Sequence, residues 1–425
     1  MRPLSLAPWL RLIATAAAGA LLLAPSIAAG VLVVDPAGGG DFTTLDPAFT
    51  AAVDGDIIVI KPGDYGTGSL FLEINGKALT VVGDTGGETI LPTIFVHDLA
   101  ANETLVLRHV TVVPTGLSFL LESTVYLQLT SGGRVHIEDC VLEGADGAGN
   151  GATSATPGMP GLRVTGSGSV AVHRSTITGG QGVSTTAIPF PGGQLVNSVG
   201  GAAVRLEGGQ LALYGVTATG GQGGSGAATS VAGKPGGSGL LATGATVVVA
   251  GSSFTGGEGG SGSPAAPSGT GATVIGTTAS IGELDSQFTG GTGAQGLVVT
   301  LATHVQHPGA AWTLVTAAPV RSGELGSITA SGPPNELFGL FFGLGMGYLP
   351  KASFQGVFLP SSPFFGPLLI ATTNGAGVWS APFLAPNLET FGLEGLLHID
   401  QALMQQDTGL VLSSATAYIQ VQRPN

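Results

Sequence analysis

The chain has 425 residues, of which only 9% are charged and 73 are glycine, and its formal charge is −13. Disorder is excluded because 43% of residues are apolar, and disordered chains lack such residues. A nucleic-acid partner is excluded by 13 basic residues against 26 acidic ones with no basic stripe, and the single cysteine, Cys140, excludes a disulfide framework or a cysteine-built zinc site.

The chain opens with MRPLSLAPWLR, which carries two positive charges, then the apolar run LIATAAAGALLL and the small residues PSIAAG. This is the pattern of a secretory signal peptide over residues 1–29, cleaved after Ala28 or Ala29. The apolar run stops at Pro25, short of the ~20 residues that a span needs. A secreted or cell-surface protein with no membrane span after cleavage is expected. Next, VLVVDPAGGGDFTTLDPAFTAAVDGDIIVIKPGDYG predicts a strand, a glycine turn, a short helix and a second strand. Asp46 caps that helix, Pro47 suits its first turn, and Leu45, Phe49 and Val53 share one face.

From Val135 one thirteen-residue unit is written five times: VHIEDCVLEGADG, VAVHRSTITGGQG, LALYGVTATGGQG, VVVAGSSFTGGEG and IGELDSQFTGGTG. The copies start at Val135, Val170, Leu211, Val247 and Ile281, and fainter ones precede them at Leu105, Leu79 and Ile57. Each begins with apolar residues two apart and ends in a glycine turn, so each is a short strand that buries its face only by stacking. The steps lengthen from 22 residues to as many as 41, and the additions are nearly all Gly, Ser, Ala, Thr and Pro, which reads as flexible loops leaving one corner of a solenoid. Seven residues after each start lie Val112, Leu142, Ile177, Ala218, Phe254 and Phe288, an inward apolar ladder. Five residues after lie Val110, Cys140, Ser175, Val216, Ser252 and Ser286, a ladder of small side chains in which Cys140 is a buried thiol. The helix at Leu45 covers the first rung, whose backbone edge needs protection.

The run DFTTLDPAFTAAVDGDIIVIKPGDYG followed by LTVVGD resembles the opening of right-handed parallel β-helix proteins of the pectin-lyase-like superfamily, over about residues 31–300. The resemblance implies a fold and says little of activity, since the superfamily holds lyases, hydrolases, esterases, epimerases and proteins with no known chemistry. After Thr303 the repeat ends and nine Phe fall between Phe338 and Phe391, with Gly and Pro every eight to twelve residues. This predicts a small antiparallel β-sandwich, similar at its close, LVLSSATAYIQV, to C-terminal modules of secreted bacterial proteins. Such a module would also close the second end of the solenoid. The expected class is all-β: a right-handed parallel β-helix of about eight coils over 30–303, then the sandwich over 304–425.

Enzymes of the superfamily work on an outer sheet face, where side chains of successive rungs converge on a sugar. Three and four residues after each start stand Arg108 and His109, then Glu138 and Asp139, then His173 and Arg174. As a catalytic cluster, Glu138 or Asp139 would act as acid, base or metal ligand, Arg108 or Arg174 would neutralise a uronate, and His173 would carry a proton. As a structural ladder, opposite charges on neighbouring rungs would hold register. The Asp-Asp, N-T-D, G-H-G and R-I-K signature of polygalacturonases is missing, as are the W-x-D-H and R-x-P-x-x-R runs of pectate lyases and the D-F-I-F-G segment of pectin methylesterases, so the resemblance carries no catalytic residue across. GGQGVS, GGQGGSG and GGEGGSG lack the Asp that calcium-binding glycine repeats need, and no cofactor or metal is expected. No aromatic ladder is read on the strand faces. The leading expectation is a non-catalytic scaffold that presents glycine-rich loops to a surface or a glycan. The alternatives are a divergent polysaccharide lyase or hydrolase, and a self-assembling coat or adhesin component.

Overall fold

The computed structural model describes residues 29–66, 71–115, 122–149, 155–184, 197–226, 231–351 and 353–422; the expected leader lies outside them except for Ala29. Eight complete coils of three strands build a parallel β-helix, from Ile57–Ile60 to Leu297–Thr300. Val31–Val34 before them and Thr303–His307 after them extend the first sheet to ten strands, while the second and third hold eight each. The last solenoid strand therefore straddles the boundary expected at residue 303.

The repeat maps directly onto the rungs. Val135, Val170, Leu211, Val247 and Ile281 are register partners and are fully buried. The ladder Val112, Leu142, Ile177, Ala218, Phe254 and Phe288 runs up the second sheet, and the last two rings stack at 5.3 Å. Between the first and second sheets the chain turns in two residues. The first of these, at His109, Asp139, Arg174, Gly215, Gly251 and Asp285, has φ between +45° and +63°, a left-handed corner that Gly and Asp tolerate best. The second is the small-residue ladder. Ser175, Ser252 and Ser286 each accept the N–H of the same corner one rung earlier, at 3.1, 3.1 or 3.2 Å, and each donates to the carbonyl two residues back. Cys140 sits in this ladder, 2% exposed, with burial pushing its thiol up to about 12.

One phase differs from the sequence reading. Ile57 pairs with Thr80, not with Leu79, so Ile58 and Ile60 point inward while Ile57 and Val59 join the core outside the first sheet. IIVI is buried on both faces, and a strand with no polar side carries no alternation to reveal its phase.

The glycine-rich segments all leave between the second and third sheets, as the repeat implies. Their described parts are not flexible loops. Outgoing and returning segments of successive coils stack on one another: Gly201 N–H donates to Gly180 O, Gly221 to Gly201, Gly237 to Gly221 and Gly257 to Gly237, each at 2.8 Å. Within the outgoing layer, Gly179 and Gly182 donate to Thr219 and Gln222 O, and Gly220 and Gly223 to Thr255 and Glu258 O. Bonding groups thus recur every third residue, the period of an extended three-fold helix rather than of a strand. Glycine is required by contact here: a Cβ on Gly221 would overlap the Gly180 carbonyl oxygen.

The helix Leu45–Ala51 closes the first end with Leu45, Ala48 and Phe49 buried. Thr44, not Asp46, is its N-cap residue, and Val53 lies beyond it, 63% exposed. Lys77 Nζ donates to the carbonyls of Phe49, Thr50 and Ala52 at its C-terminal end. The second end is not closed by the C-terminal module. Among the described residues the last first-sheet strand is exposed from Thr303 to Gln306 and pairs only backward, with Ser280–Leu284.

The C-terminal residues form a small, mainly antiparallel sandwich. Its principal sheet holds Leu337–Gly343, Phe364–Thr372, Gly395–Gln406 and Gly409–Val421 and faces a three-stranded sheet that includes Thr313–Thr316. This sandwich lies along the outer face of the first solenoid sheet. Ile57, Val59, Val82, Val106, Ala171, Ala212 and Tyr214 share one core with Trp312, Leu314, Val357, Ala415 and Ala417.

Candidate functional site

The charged cluster is under the sandwich. Arg108, Glu138 and His173 end neighbouring first-sheet strands, pointing outward in adjacent register, and are 2%, 0% and 0% exposed. His109, Asp139 and Arg174 are their left-handed corner residues. Arg108 Nη2 meets Glu138 Oε1 at 3.1 Å and Asp139 Oδ2 at 3.4 Å. Arg174 bonds Glu138, and its Nε lies 2.9 Å from Asp139 Oδ1. The sandwich supplies the remaining partners: Thr416 Oγ1 and Ala417 N–H donate to the two Glu138 oxygens at 2.6 Å, Arg108 donates to the carbonyls of Thr316 and Ala417, and Arg174 donates to Leu314 O at 2.7 Å.

His136, which the sequence reading passed over, completes the cluster. It points outward two residues before Glu138 and its Nε2 lies 2.8 Å from Glu138 Oε2. His136, His173 and Tyr214 stack up three rungs with ring centroids 4.7 and 5.3 Å apart. Tyr214 Oη accepts the Val357 N–H at 2.8 Å. Burial alone would raise the Glu138 carboxyl, but Arg108, Arg174 and His136 hold it well below the usual carboxylate range. Burial, reinforced by His136, pushes His173 well below the ordinary imidazole value, and neither of its ring nitrogens has a hydrogen-bond partner. Of the six expected site residues, five converge on this seam. His109 does not, since its side chain is exposed. With Glu138 wholly buried and Arg108 nearly so, the centre of this charge network has no room for a saccharide; here it joins the solenoid to the sandwich.

The other outer faces differ in what their polar groups do. On the third sheet a short aromatic ladder does exist: Phe95 stacks on Tyr126 at 5.3 Å and Arg163 lies 5.1 Å from the Tyr126 centroid. Its members cover one another's ring faces, and their charged neighbours are paired, His97 with Glu73 and Asp98, and Arg163 with Glu122 and Glu207. The second sheet and the outgoing glycine layer form the opposite case. Glu143, Thr178 and Thr219 make one outward column, and Asp146, Gln181 and Gln222, three residues further on, make another. Together they line an open groove of about 570 Å³ with Pro114 at one side.

In this groove the side chains of Glu143, Gln181 and Gln222 make no hydrogen bond or ion pair with any described residue, while Asp146 Oδ1 accepts the Gln181 N–H at 2.7 Å. Rungs ~4.8 Å apart thus present unspent carboxylate, amide and hydroxyl groups to solvent. The local cause is the run T-G-G-Q-G-G-S: its glycines pack inward at period three and leave Thr and Gln outside. That period was the available signal, hidden because such a run reads as linker. Among the described residues no group of three or more His, Cys, Asp or Glu is placed to hold a metal ion.

The chain matches no protein-family model and no curated protein.

Proposed function

We propose that this is a secreted or cell-surface β-helix protein, related to the pectin-lyase-like superfamily, that acts as a non-catalytic scaffold and binds a hydroxyl-rich glycan along the groove of its second sheet. The observation that carries this reading is the unspent hydrogen-bonding capacity of Glu143, Gln181 and Gln222 at rung spacing. Repeated donors and acceptors suit a polymer better than a single small ligand. The internally paired charge cluster supports the non-catalytic half of the reading, because it occupies Arg108 and Arg174 and buries His173, the groups that uronate chemistry would use. A polysaccharide array scored for both binding and turnover tests it: binding without cleavage is expected, and degradation of any polymer that Glu143→Gln abolishes would replace the scaffold with an enzyme.

A second reading, assembly of copies into a coat, is favoured by the unpaired edge at Thr303–His307. Sedimentation over a hundredfold concentration range separates it, since a scaffold that works alone stays monomeric throughout.

A further inference from the structure

The charge of the groove narrows its ligand, on the reading that the groove binds a glycan. Its lining holds two carboxylates, Glu143 and Asp146, and no basic residue. Both are exposed, and neither has an ion-pair partner among the described residues. The arginines of the solenoid are spent elsewhere: Arg108 and Arg174 under the sandwich, Arg134 on the Met346 carbonyl, and Arg163 and Arg205 in pairs on the third sheet. The outgoing layer adds a further carboxylate beyond the groove, Glu258, in the column of Asp146, Gln181 and Gln222; its oxygens accept the Thr292 N–H and the Ser268 hydroxyl.

We infer that the groove is a subsite for an amine-bearing polysaccharide, a polymer of 2-amino-2-deoxy sugars, and disfavours uronates. The columns of Thr and Gln supply neutral hydrogen bonds that any hydroxylated chain accepts. Discrimination comes from Glu143 and Asp146, which meet a protonated amine with opposite charge and a uronate carboxylate with like charge. Exposed pairs are individually weak, so two of them set a preference of about three- to tenfold rather than an absolute specificity. That preference fades as salt shortens the screening length.

The test titrates the full chain at low ionic strength with four probes of matched length: glucosamine, N-acetylglucosamine and galacturonate oligomers, and oligolysine. Glucosamine oligomers are expected to bind about three- to tenfold more tightly than their N-acetylated forms, with galacturonate weakest. In Glu143→Gln/Asp146→Asn, which removes both charges and keeps one amide oxygen at each position, the ratio of glucosamine to N-acetylglucosamine affinity is expected to fall to about one. Equal affinity for the two glucosamine probes in the native protein overturns the charge inference and leaves glycan binding intact. Failure of all three saccharides to bind overturns the glycan reading itself. Oligolysine binding as tightly as glucosamine overturns the sugar and leaves a groove for cationic peptide. Unfolding midpoints of native and variant chains, expected to coincide because both carboxylates are exposed, exclude misfolding as the cause of any loss.

Discussion

The outer face of the first sheet and that of the second carry polar side chains at the same rung spacing, yet spend them in opposite ways. On the first, Arg108, His136, Glu138 and Arg174 lie between two packed domains, and each carboxylate oxygen of Glu138 has partners from both. On the second, Glu143, Gln181 and Gln222 face solvent. The difference does not lie in the residue types, since both faces hold carboxylates. It lies in what covers them. The first sheet is apolar enough, through Ile57, Val59, Val82, Val106, Ala171 and Ala212, to receive a sandwich, and burying a charged cluster is tolerable only where every charge is matched. The second sheet continues into glycine segments whose backbone is satisfied internally, so it attracts no covering domain. Matched charges therefore mark a seam in this protein, and unspent polar groups mark the accessible surface.

The sharpest way to break that contrast is Glu138→Ala. It leaves Arg108 and Arg174 buried without their shared counter-charge, which costs on the order of 3–5 kcal/mol. Denaturant unfolding should show the loss, and proteolysis should release the sandwich first. A change below about 1 kcal/mol would mean that the seam is hydrated and the comparison mistaken.

The glycine layer provides the next largest effect. Gly221→Ala drives a Cβ into the Gly180 carbonyl, whereas Gly375→Ala meets nothing within 4 Å. Overpacking of this kind costs about 1–3 kcal/mol, and the control change should be near neutral. If both variants unfold alike, the stacked glycine segments do not contribute to stability.

Acid should weaken the covered face. Burial holds His173 well below the ordinary imidazole value of 6.5, so at mildly acidic pH the unfolded chain binds a proton that the folded chain refuses. Stability is then lost as pH falls below the unfolded value of 6.5, with a limiting slope of about 1.4 kcal/mol per pH unit. Glu138, which despite its burial Arg108 and Arg174 hold well below the ordinary carboxyl value of 4.5, adds a second loss in the same direction below that pH. Unfolding midpoints measured from neutral to acidic pH check this. His173→Phe, which keeps the stack between His136 and Tyr214, should flatten the first decline and leave the second. An unchanged profile in that variant would place the titration elsewhere.

Sequence patterning reveals the interior of this molecule far better than its seams. The ladders from Val135 to Ile281 and from Val112 to Phe288 are legible because identical positions stacked on successive rungs must match in size. The phase at Ile57 is hidden, since a strand buried on both faces has no polar side to mark. The repeat brings five cluster residues together, but their burial depends on Thr416 and Ala417, 278 and 279 positions from Glu138. No local pattern carries that information. The groove is hidden for a third reason: glycine, serine and threonine at high density read as linker, and only the three-residue period of Thr219, Gln222 and Ser225 separates a packed layer from a loose one.

A single coil holds a matched pair for the smallest effects. Tyr214 ends its first-sheet strand under the sandwich, 1% exposed, and its hydroxyl accepts the Val357 N–H at 2.8 Å. Eight residues later Gln222 stands exposed in the glycine segment, its side chain without a hydrogen-bond partner among the described residues. Tyr214→Phe removes one oxygen and keeps the stack on His173, so its cost is that of leaving the Val357 N–H buried and unpaired, about 1–2 kcal/mol. Gln222→Ala removes a larger group but breaks no hydrogen bond to a described residue, and its effect on stability should fall within about 0.5 kcal/mol. Affinity for glycan should order the two the other way, with Gln222→Ala weakening binding and Tyr214→Phe leaving it intact. Unfolding and binding titrations on the same two preparations decide the matter: a stability loss in Gln222→Ala, or a binding loss in Tyr214→Phe, would show that the two faces are not independent.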